Sequence, residues 1–419
     1  MKQIYLDNYK GYNQLFLSFK DVNFFVGENS SGKTALLSLI NILTTADFWF
    51  TGNLNNDTIT VGYFNELINK NSTNQTYFRI GVELNMKHND SPAFHLFTFV
   101  NKKGNARLSE YKCIIKQQTV VLFLNNKSGG ITYSIKKYAD EDFVAWINDS
   151  EISKKICKLN LATEKTPFFT AIQKLNNTLN NNIHSPIIPF MRGVTWIAPI
   201  RAKAQRYYEN FTYNYSPEGL HTPVLLKSIL QSSGKKQQQI IAALNKFGKQ
   251  SALFDGISIE KFKGEGAPFE IDVTYDKTNI KLTNVGYGVS QIMPVLIEIL
   301  TSNNDRYAIQ QPEVHLHPKA QAAFGELIYT NAKNNHNKFY IETHSDFTIN
   351  RFRYCLAKDN VTEGPHKDKP SSQVVFFERK GTNTSFTTIP ISQNGKYDQN
   401  MPEAYGRFFI DEELKVLDI

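Results

Sequence analysis

Residues 23–43 read NFFVGENSSGKTALLSLINIL, and no other stretch constrains the fold as strongly. Apolar residues lead into GENSSGKT at 27–34, and an apolar-periodic helix follows. Strand, glycine-rich loop and helix in that order are what a phosphate-binding loop requires. Gly27 and Gly32 let the backbone curl so that successive N–H groups point inward at an anion. A helix starting near Gly32 adds the positive end of its dipole. Lys33 has the reach for β- and γ-phosphate oxygens, and the Thr34 hydroxyl has the chemistry to ligate Mg2+. Gly27, Asn29, Ser30, Ser31, Gly32, Lys33 and Thr34 are therefore the candidate nucleotide-binding residues, with ATP and Mg2+ as cofactors. Four fixed positions match by chance in roughly one chain of this length per hundred, before the flanking strand and helix are counted.

A chain of 419 residues has room for a substantial core and for two or three domain-sized units. Its 41% apolar and 21% charged content is that of a globular chain and excludes a disordered one. No apolar run reaches the roughly 18 residues of a membrane helix, so the chain is not the spanning part of a transporter. The opening MKQIYLDNYKGYNQ holds no apolar signal core, and Cys113, Cys157 and Cys355 form no CxxC. A cytoplasmic location with free thiols is the expectation. The net charge of +8 (47 Lys+Arg minus 39 Asp+Glu) permits contact with nucleic acid without demanding it.

Along the chain, apolar segments at 4–6 and 15–19 flank a turn at 9–12, which predicts a β-hairpin ahead of the loop. Asn- and Thr-rich surface loops surround a short helical piece at 62–69. From about 76 to 137, YFRIGVEL, AFHLFTFV, EYKCIIK, TVVLFL and ITYSIKK alternate with turns at 101–104 and 125–130, predicting an antiparallel meander. Residues 139–185 look helical and polar and end in an Asn-rich loop. VTWIAPIR at 194–201 is a buried strand closing in a proline turn and Arg201, with Arg206, Tyr207 and Tyr208 close behind. Arg201 is a candidate phosphate contact. Helical spacing at 222–265 predicts a short helical arm carrying Lys227, Lys235, Lys236, Lys246 and Lys249. The fold class is α/β, with a head of mixed sheet split between 1–45 and 190–419. An antiparallel β subdomain with helices is inserted at 46–190, and the arm at 222–265 makes a helical subdomain.

Three later segments complete a composite site. NVGYGVSQIMPVLIEIL at 284–300 puts Ser290 and Gln291 at a helix start, a second anion-binding device. One nucleotide does not need two such devices in one protomer, whereas a homodimer placing Ser290 over the partner's γ-phosphate uses both. YAIQQPEVHLHP at 307–318 puts Gln310 and Gln311 where a Mg2+-binding acid and a catalytic acid are expected. KFYIETHSD at 338–346 places His344 just past a strand, where it can orient a γ-phosphate.

These motifs in this order resemble the ABC-type ATPase heads of the RecF, SMC and OLD-nuclease proteins. Within that group the chain most resembles the PtuA-type ATPases of Septu defence and their retron-associated relatives. The resembling residues are GENSSGKT at 27–34, APIR at 198–201, GYGVSQ at 286–291, QQPEVHLHP at 310–318, ETHSD at 342–346 and MPEAYGRFF at 401–409. The resemblance implies a Walker A loop at Gly27 to Thr34 and a signature serine, Ser290, acting in trans. It places Gln310 and Gln311 on the Walker B pair and His344 on the switch histidine, so Thr34 and Gln310 fall on the metal positions. His315 and His317 are structural by the same comparison. The departure is glutamine at both 310 and 311. An amide keeps a carbonyl ligand but loses the charge that holds Mg2+ and cannot accept a proton from water. Glu313 is the nearest carboxylate in sequence and a partial substitute. Losing the base costs about 10²–10⁴-fold in rate. The implied protein binds ATP, hydrolyses it slowly or not at all, and controls a separate HNH-type nuclease. Such a homodimer leaves room for a higher oligomer of dimers. A RecF-type ATPase that clamps DNA directly is the alternative. The segment after His344 holds no paired acids of the DxD kind that a fused metal-dependent nuclease needs.

Overall fold

The computed structural model describes all residues but 57–58, 85–92, 116–117, 125–130, 140, 150–155, 160–167, 179–192, 210–213, 265, 364–368, 399–400 and 418–419. In chain order, strands β1 (Gln3–Asp7), β2 (Leu15–Ser18) and β3 (Val22–Gly27) precede helices α1 (Lys33–Thr44), α2 (Ala46–Thr51) and α3 (Phe64–Leu67). Strands β4 (Tyr77–Leu84), β5 (Ala93–Lys102), β6 (Asn105–Ile115), β7 (Gln118–Phe123) and β8 (Ile131–Lys137) follow, then α4 (Phe143–Asn148), β9 (Ile156–Leu159) and α5 (Phe168–Thr178). Next come β10 (Thr195–Ile197), α6 (Thr222–Gln231), α7 (Lys235–Ser251), β11 (Gly256–Lys261), β12 (Phe269–Tyr275) and β13 (Thr278–Lys281). The chain closes with α8 (Tyr287–Thr301), β14 (Arg306–Gln310), α9 (Pro318–Asn335), β15 (Lys338–Glu342), α10 (Asp346–Glu363), β16 (Ser372–Lys380), β17 (Asn383–Ile391) and α11 (Glu403–Leu417). The fold class is α/β. No helix among the described residues is long and apolar enough to cross a membrane.

The chain divides into two compact units. The first comprises Met1–Phe19, Glu28–Gly193 and Phe377–Phe386. It is built on an eight-stranded sheet in the order β2-β1-β4-β5-β6-β7-β8-β9. Strand β5 shows why AFHLFTFV is apolar almost throughout. Phe94 and Leu96 face Phe143, Trp146 and Ile147 of α4 on one side. On the other, His95 and Phe97 meet Trp49 and Phe48 of α2. A sheet covered on both faces has no polar side to alternate with.

Two expectations change here. The N-terminal hairpin belongs to this sheet through antiparallel pairing of β1 with β4, such as Tyr5 with Gly81. Residues 1–19 therefore group with the meander and not with 194–376. Residues 139–185 are not helical throughout, since β9 adds an eighth strand, with Cys157 opposite Tyr133. The turn at 125–130 lies outside the described residues, as does the Asn-rich stretch beyond Thr178.

The second unit comprises Lys20–Gly27, Val194–Phe376 and Thr387–Ile419. Its sheet runs β10-β14-β15-β3-β16-β17, and β10, β14, β15 and β3 are mutually parallel. Helices α8, α9 and α10 supply the apolar cover, including Ile292, Leu296, Phe324, Ile328, Ile349 and Phe352. The segment 222–265 does not project as an arm. Leu226 and Ile229 of α6 and Ile240, Leu244 and Phe247 of α7 are buried in this core. The same segment ends in strand β11, which pairs with β12. Helical spacing reports an apolar stripe, and a stripe is satisfied by a core as well as by a partner.

Candidate functional site

Strand β3 is buried along its whole length and ends at Gly27, whose φ of 142° turns the chain into the loop. Glu28, Asn29 and Ser30 are exposed, Ser30 with a φ of 61°, and Ser31 is buried. Gly32 has a φ of 102° and starts α1. A Cβ there would stand 2.7 Å from the Tyr12 hydroxyl and 3.0 Å from Thr384 Oγ1, so only glycine fits. The Tyr12 hydroxyl donates to the Gly32 carbonyl at 2.8 Å and fixes the turn from outside. Lys33 is 2% exposed, and its ammonium donates to the Glu28 carbonyl at 2.6 Å and to Ser31 Oγ at 3.4 Å. The loop thus wraps around a buried ammonium, while Thr34 on the first helical turn is exposed.

The four parallel strands deliver their carboxyl ends to one edge, where open α/β sheets bind ligands. Gly27 ends β3, Arg201 follows β10, Gln310 ends β14, and Glu342 ends β15 with His344 two residues beyond. Gln310 and Glu342 are opposite one another in register, and Gln310 Nε2 donates to Glu342 Oε2 at 3.3 Å. Gln311 leaves the strand with a φ of 41°, and its N–H donates to the Glu342 carbonyl at 2.8 Å. Glu313 turns back toward the next strand end. Its Oε2 accepts from the Thr343 hydroxyl at 2.9 Å and its Oε1 from the His344 N–H at 2.7 Å. Burial raises the Glu313 pKa, against these hydrogen bonds and the Arg201 charge, which lower it. The His344 ring stacks near Phe408 of α11, 6.4 Å between centroids.

Arg201 is the unusual member. It is 2% exposed, and Nη2 donates to the Gln310 carbonyl at 3.1 Å. Its Nε and Nη1 are buried with no hydrogen-bond partner among the described residues. Burial pulls its pKa down to about 10, with Glu313 opposing. The Gln291 side chain holds the backbone in place: Oε1 accepts from the Arg201 N–H at 3.0 Å, and Nε2 donates to the Arg201 carbonyl at 3.2 Å. A charge buried this deeply is costly unless something pairs with it.

Ser290 is the fourth residue of α8, and its hydroxyl donates back to the Tyr287 carbonyl at 2.9 Å. It does not cap the helix, which starts after Gly286. Gly288 lies so close to the His315 carbonyl that a Cβ would approach it to 2.6 Å, which packs the start of α8 against the turn after β14. Two residues have roles that the sequence alone does not show. Gln291, expected beside Ser290 in an anion-binding helix start, instead turns its side chain to the Arg201 backbone. Glu342 opens ETHSD, and its signal was its place at a strand end beside the Gln310 strand.

Each of the two donor groups, taken by itself, suits a phosphate. The loop presents a glycine cradle around Lys33, and the strand edge holds a buried guanidinium with two nitrogens that have no partner among the described residues. Among the described residues no cluster of three or more His, Cys, Asp or Glu is placed to hold a metal by itself. Mg2+ that accompanies a nucleotide takes only one or two carboxylates from a protein. Gln310 and Glu342, at neighbouring strand ends, offer oxygens to such an ion, and a bound Mg2+ would neutralise phosphate charge.

Comparison with known proteins agrees with this chemistry. Over 133 residues the chain is 34% identical to the DNA replication and repair protein RecF of Staphylococcus haemolyticus, and 33% identical to that of Staphylococcus aureus. The match covers 29% of this chain and 31% of either RecF, so the chain spans about a third of those relatives. Among solved structures, an SMC head bound to the C-terminal winged-helix domain of ScpA aligns at 10% identity and a TM-score of 0.45, covering 94% of this chain and 98% of that one. The SMC head domain of Thermotoga maritima aligns at 12% identity and a TM-score of 0.35, covering 93% and 98%. Residues 1–349 match the AAA ATPase domain family, and with five-sixths of its length inside that match the chain belongs to it.

Proposed function

We propose that the chain is an ATP-binding switch that dimerises around two ATP·Mg2+ and hydrolyses them slowly or not at all. In this reading it is a subunit of a Septu-type anti-phage defence complex and controls a separate HNH-type nuclease. The observation that carries the switch is Arg201, a buried cation whose Nε and Nη1 have no hydrogen-bond partner among the described residues and are free to take an anion. The loop residues Gly27 to Thr34 cradle the phosphates, Lys33 neutralises them, and Arg201 reads the terminal one. Ser290 and the start of α8 contact the partner protomer's nucleotide. Gln311 cannot take a proton from water, and Glu313 has both oxygens committed to Thr343 and His344. Turnover is slow for that reason.

Light scattering of the protein with ATP and Mg2+, followed by chromatography of the bound nucleotide, tests this. The expected result is a dimer holding intact ATP, lost in Ser290→Arg while the monomer stays folded. Mostly ADP would overturn the slow-hydrolysis reading, and an unchanged Ser290→Arg dimer would overturn the trans site. Co-purification with the neighbouring gene's product tests the effector.

A second reading is favoured by the RecF match: an ATPase that clamps duplex DNA itself. Lys235, Lys236 and Lys249 of α7 would then contact phosphates. Gel shifts that appear only with ATP and weaken steeply with salt would select this reading.

A further inference from the structure

The glutamines at 310 and 311 leave β14 without a charged oxygen at its end, and the neighbouring strand supplies one. Glu342 is 4% exposed and stands directly across from Gln310, which is 8% exposed. On its other side Glu342 is in register with Phe25, two residues before Gly27. The next residue, Thr343, donates its N–H to the Phe25 carbonyl at 3.1 Å. Glu342 therefore stands at the end of the strand between that of Gln310 and the one that runs into the phosphate loop, with its carboxylate against the Gln310 amide. Glu313, the nearest acid in sequence, is turned away, with one oxygen on the Thr343 hydroxyl and the other on the His344 N–H.

We propose that Glu342 is the carboxylate ligand, direct or through one water, of the Mg2+ that accompanies ATP, and that Gln310 is its positioning residue. This rests on the reading of the chain as an ATP·Mg2+ binder. Mg2+ is a hard cation that keeps most of its water and takes one or two carboxylates from the protein. Adjacent strands lie about 4.8 Å apart, so moving the charge from 310 to 342 shifts it by one strand spacing. A water in the ion's shell spans such a gap. The amide at 310 also becomes intelligible. A glutamate there would face Glu342 at hydrogen-bonding distance, and two like charges so close cannot both stay ionised. Glutamine donates to the carboxylate instead and holds it in place. Residue 310 has thus not simply lost its function; the pair has exchanged amide and acid.

The test is fluorescence titration of mant-ATP with MgCl2 or with EDTA, with thermal melting as a fold check. Four proteins are compared: native, Glu342→Gln, Glu342→Asp, and the swap Gln310→Glu with Glu342→Gln. The native protein should bind more tightly with Mg2+. Glu342→Gln should cut the Mg2+-dependent part of the affinity by about 10–100-fold and leave EDTA binding unchanged. Glu342→Asp should keep a reduced Mg2+ dependence, and the swap should restore most of it. A folded Glu342→Gln with native Mg2+ dependence overturns the proposal, as does a folded swap that restores nothing. If Glu342→Gln does not fold, Glu342→Asp and the swap decide in the same way. Native protein that binds no mant-ATP in either condition would instead overturn the underlying ATP reading.

Discussion

Lys112 in the eight-stranded sheet and Arg201 at the parallel-strand edge are both buried cations, and their surroundings differ in kind. The Lys112 ammonium donates to the carbonyls of Trp146 and Asp149 at 2.6 and 2.8 Å and lies 4.5 Å from the Trp146 ring centre. Burial lowers its pKa to about 8, and Asp149 and Glu110 work against that shift. Elsewhere in the same sheet Arg79 binds Asp7 at 2.7 Å, and Lys2 binds one oxygen of Glu83 at 2.8 Å, while the other, Oε2, is buried with no hydrogen-bond partner among the described residues. Arg201 has one carbonyl, the charge of Glu313, and two buried nitrogens, Nε and Nη1, with no partner among the described residues. Lys112 has the cost of its burial answered within its own fold. Arg201 leaves part of that cost standing, which a fold sustains where a ligand completes the set.

If that contrast is right, ATP·Mg2+ should protect the amides around Arg201, Gln310 and His344 from hydrogen exchange and leave β5 to β8 unchanged. Lys33→Ala should remove the protection entirely, with mant-ATP binding falling below detection, because the buried ammonium is the loop's countercharge. Equal protection of the meander would break the comparison. A smaller effect belongs to the meander alone. His95 is buried, hydrogen-bonds the Tyr111 hydroxyl at 2.7 Å, and has its pKa lowered to about 3 by burial. The unfolded chain takes up a proton near pH 6.5, and the folded chain does not until about pH 3. The unfolded state binds more protons across that window, so stability is full above it and falls as pH drops through it, by up to about 5 kcal/mol. Urea melts from pH 7.5 to 4 should show the decline, and His95→Gln should flatten it.

How far these features could be read from the sequence depends on how local each one is. The phosphate loop is one contiguous strand, loop and helix, so its glycines and lysine announced themselves. The meander strands were visible through their turns. Strand β9 was not, because four residues, ICKL, carry too little pattern to separate strand from loop. The pairing of β1 with β4 joins residues more than 70 positions apart, and no local period encodes it. The same limit hid Glu342. Its meaning lies in the register between β14 and β15, 32 residues apart, whereas Glu313 stood out by being next in line. Arg201 was found from its place just after a buried strand. Its unpaired nitrogens and the Gln291 clamp are properties of packing, which only the assembled core displays. Ser290 was read as a hydroxyl aimed outward at a helix start. As the fourth helical residue it bonds the preceding turn instead, a local alternative open to any serine inside a helix.

The sharpest form of the comparison is a pair of matched substitutions to methionine, which keep length and remove charge. Lys112→Met strands the carbonyls of Trp146 and Asp149 in a dry interior and removes the contact with the indole ring. Each buried acceptor left unmade costs about 1–3 kcal/mol, so the protein should lose about 2–3 kcal/mol in a urea melt. Arg201→Met removes a cation that the fold satisfies only in part. It frees the Gln310 carbonyl but also lifts the desolvation cost of the guanidinium, and such replacements are often neutral or stabilising by about 1 kcal/mol or more. Without nucleotide, then, the two variants should move in opposite directions or Arg201→Met should not move at all. With ATP·Mg2+ the order reverses in meaning, because Lys112→Met should keep the native gain in melting temperature while Arg201→Met loses most of it. Equal losses in the absence of nucleotide would show that Arg201 is a structural cation like Lys112, and the division between a finished region and one completed by its ligand would fall.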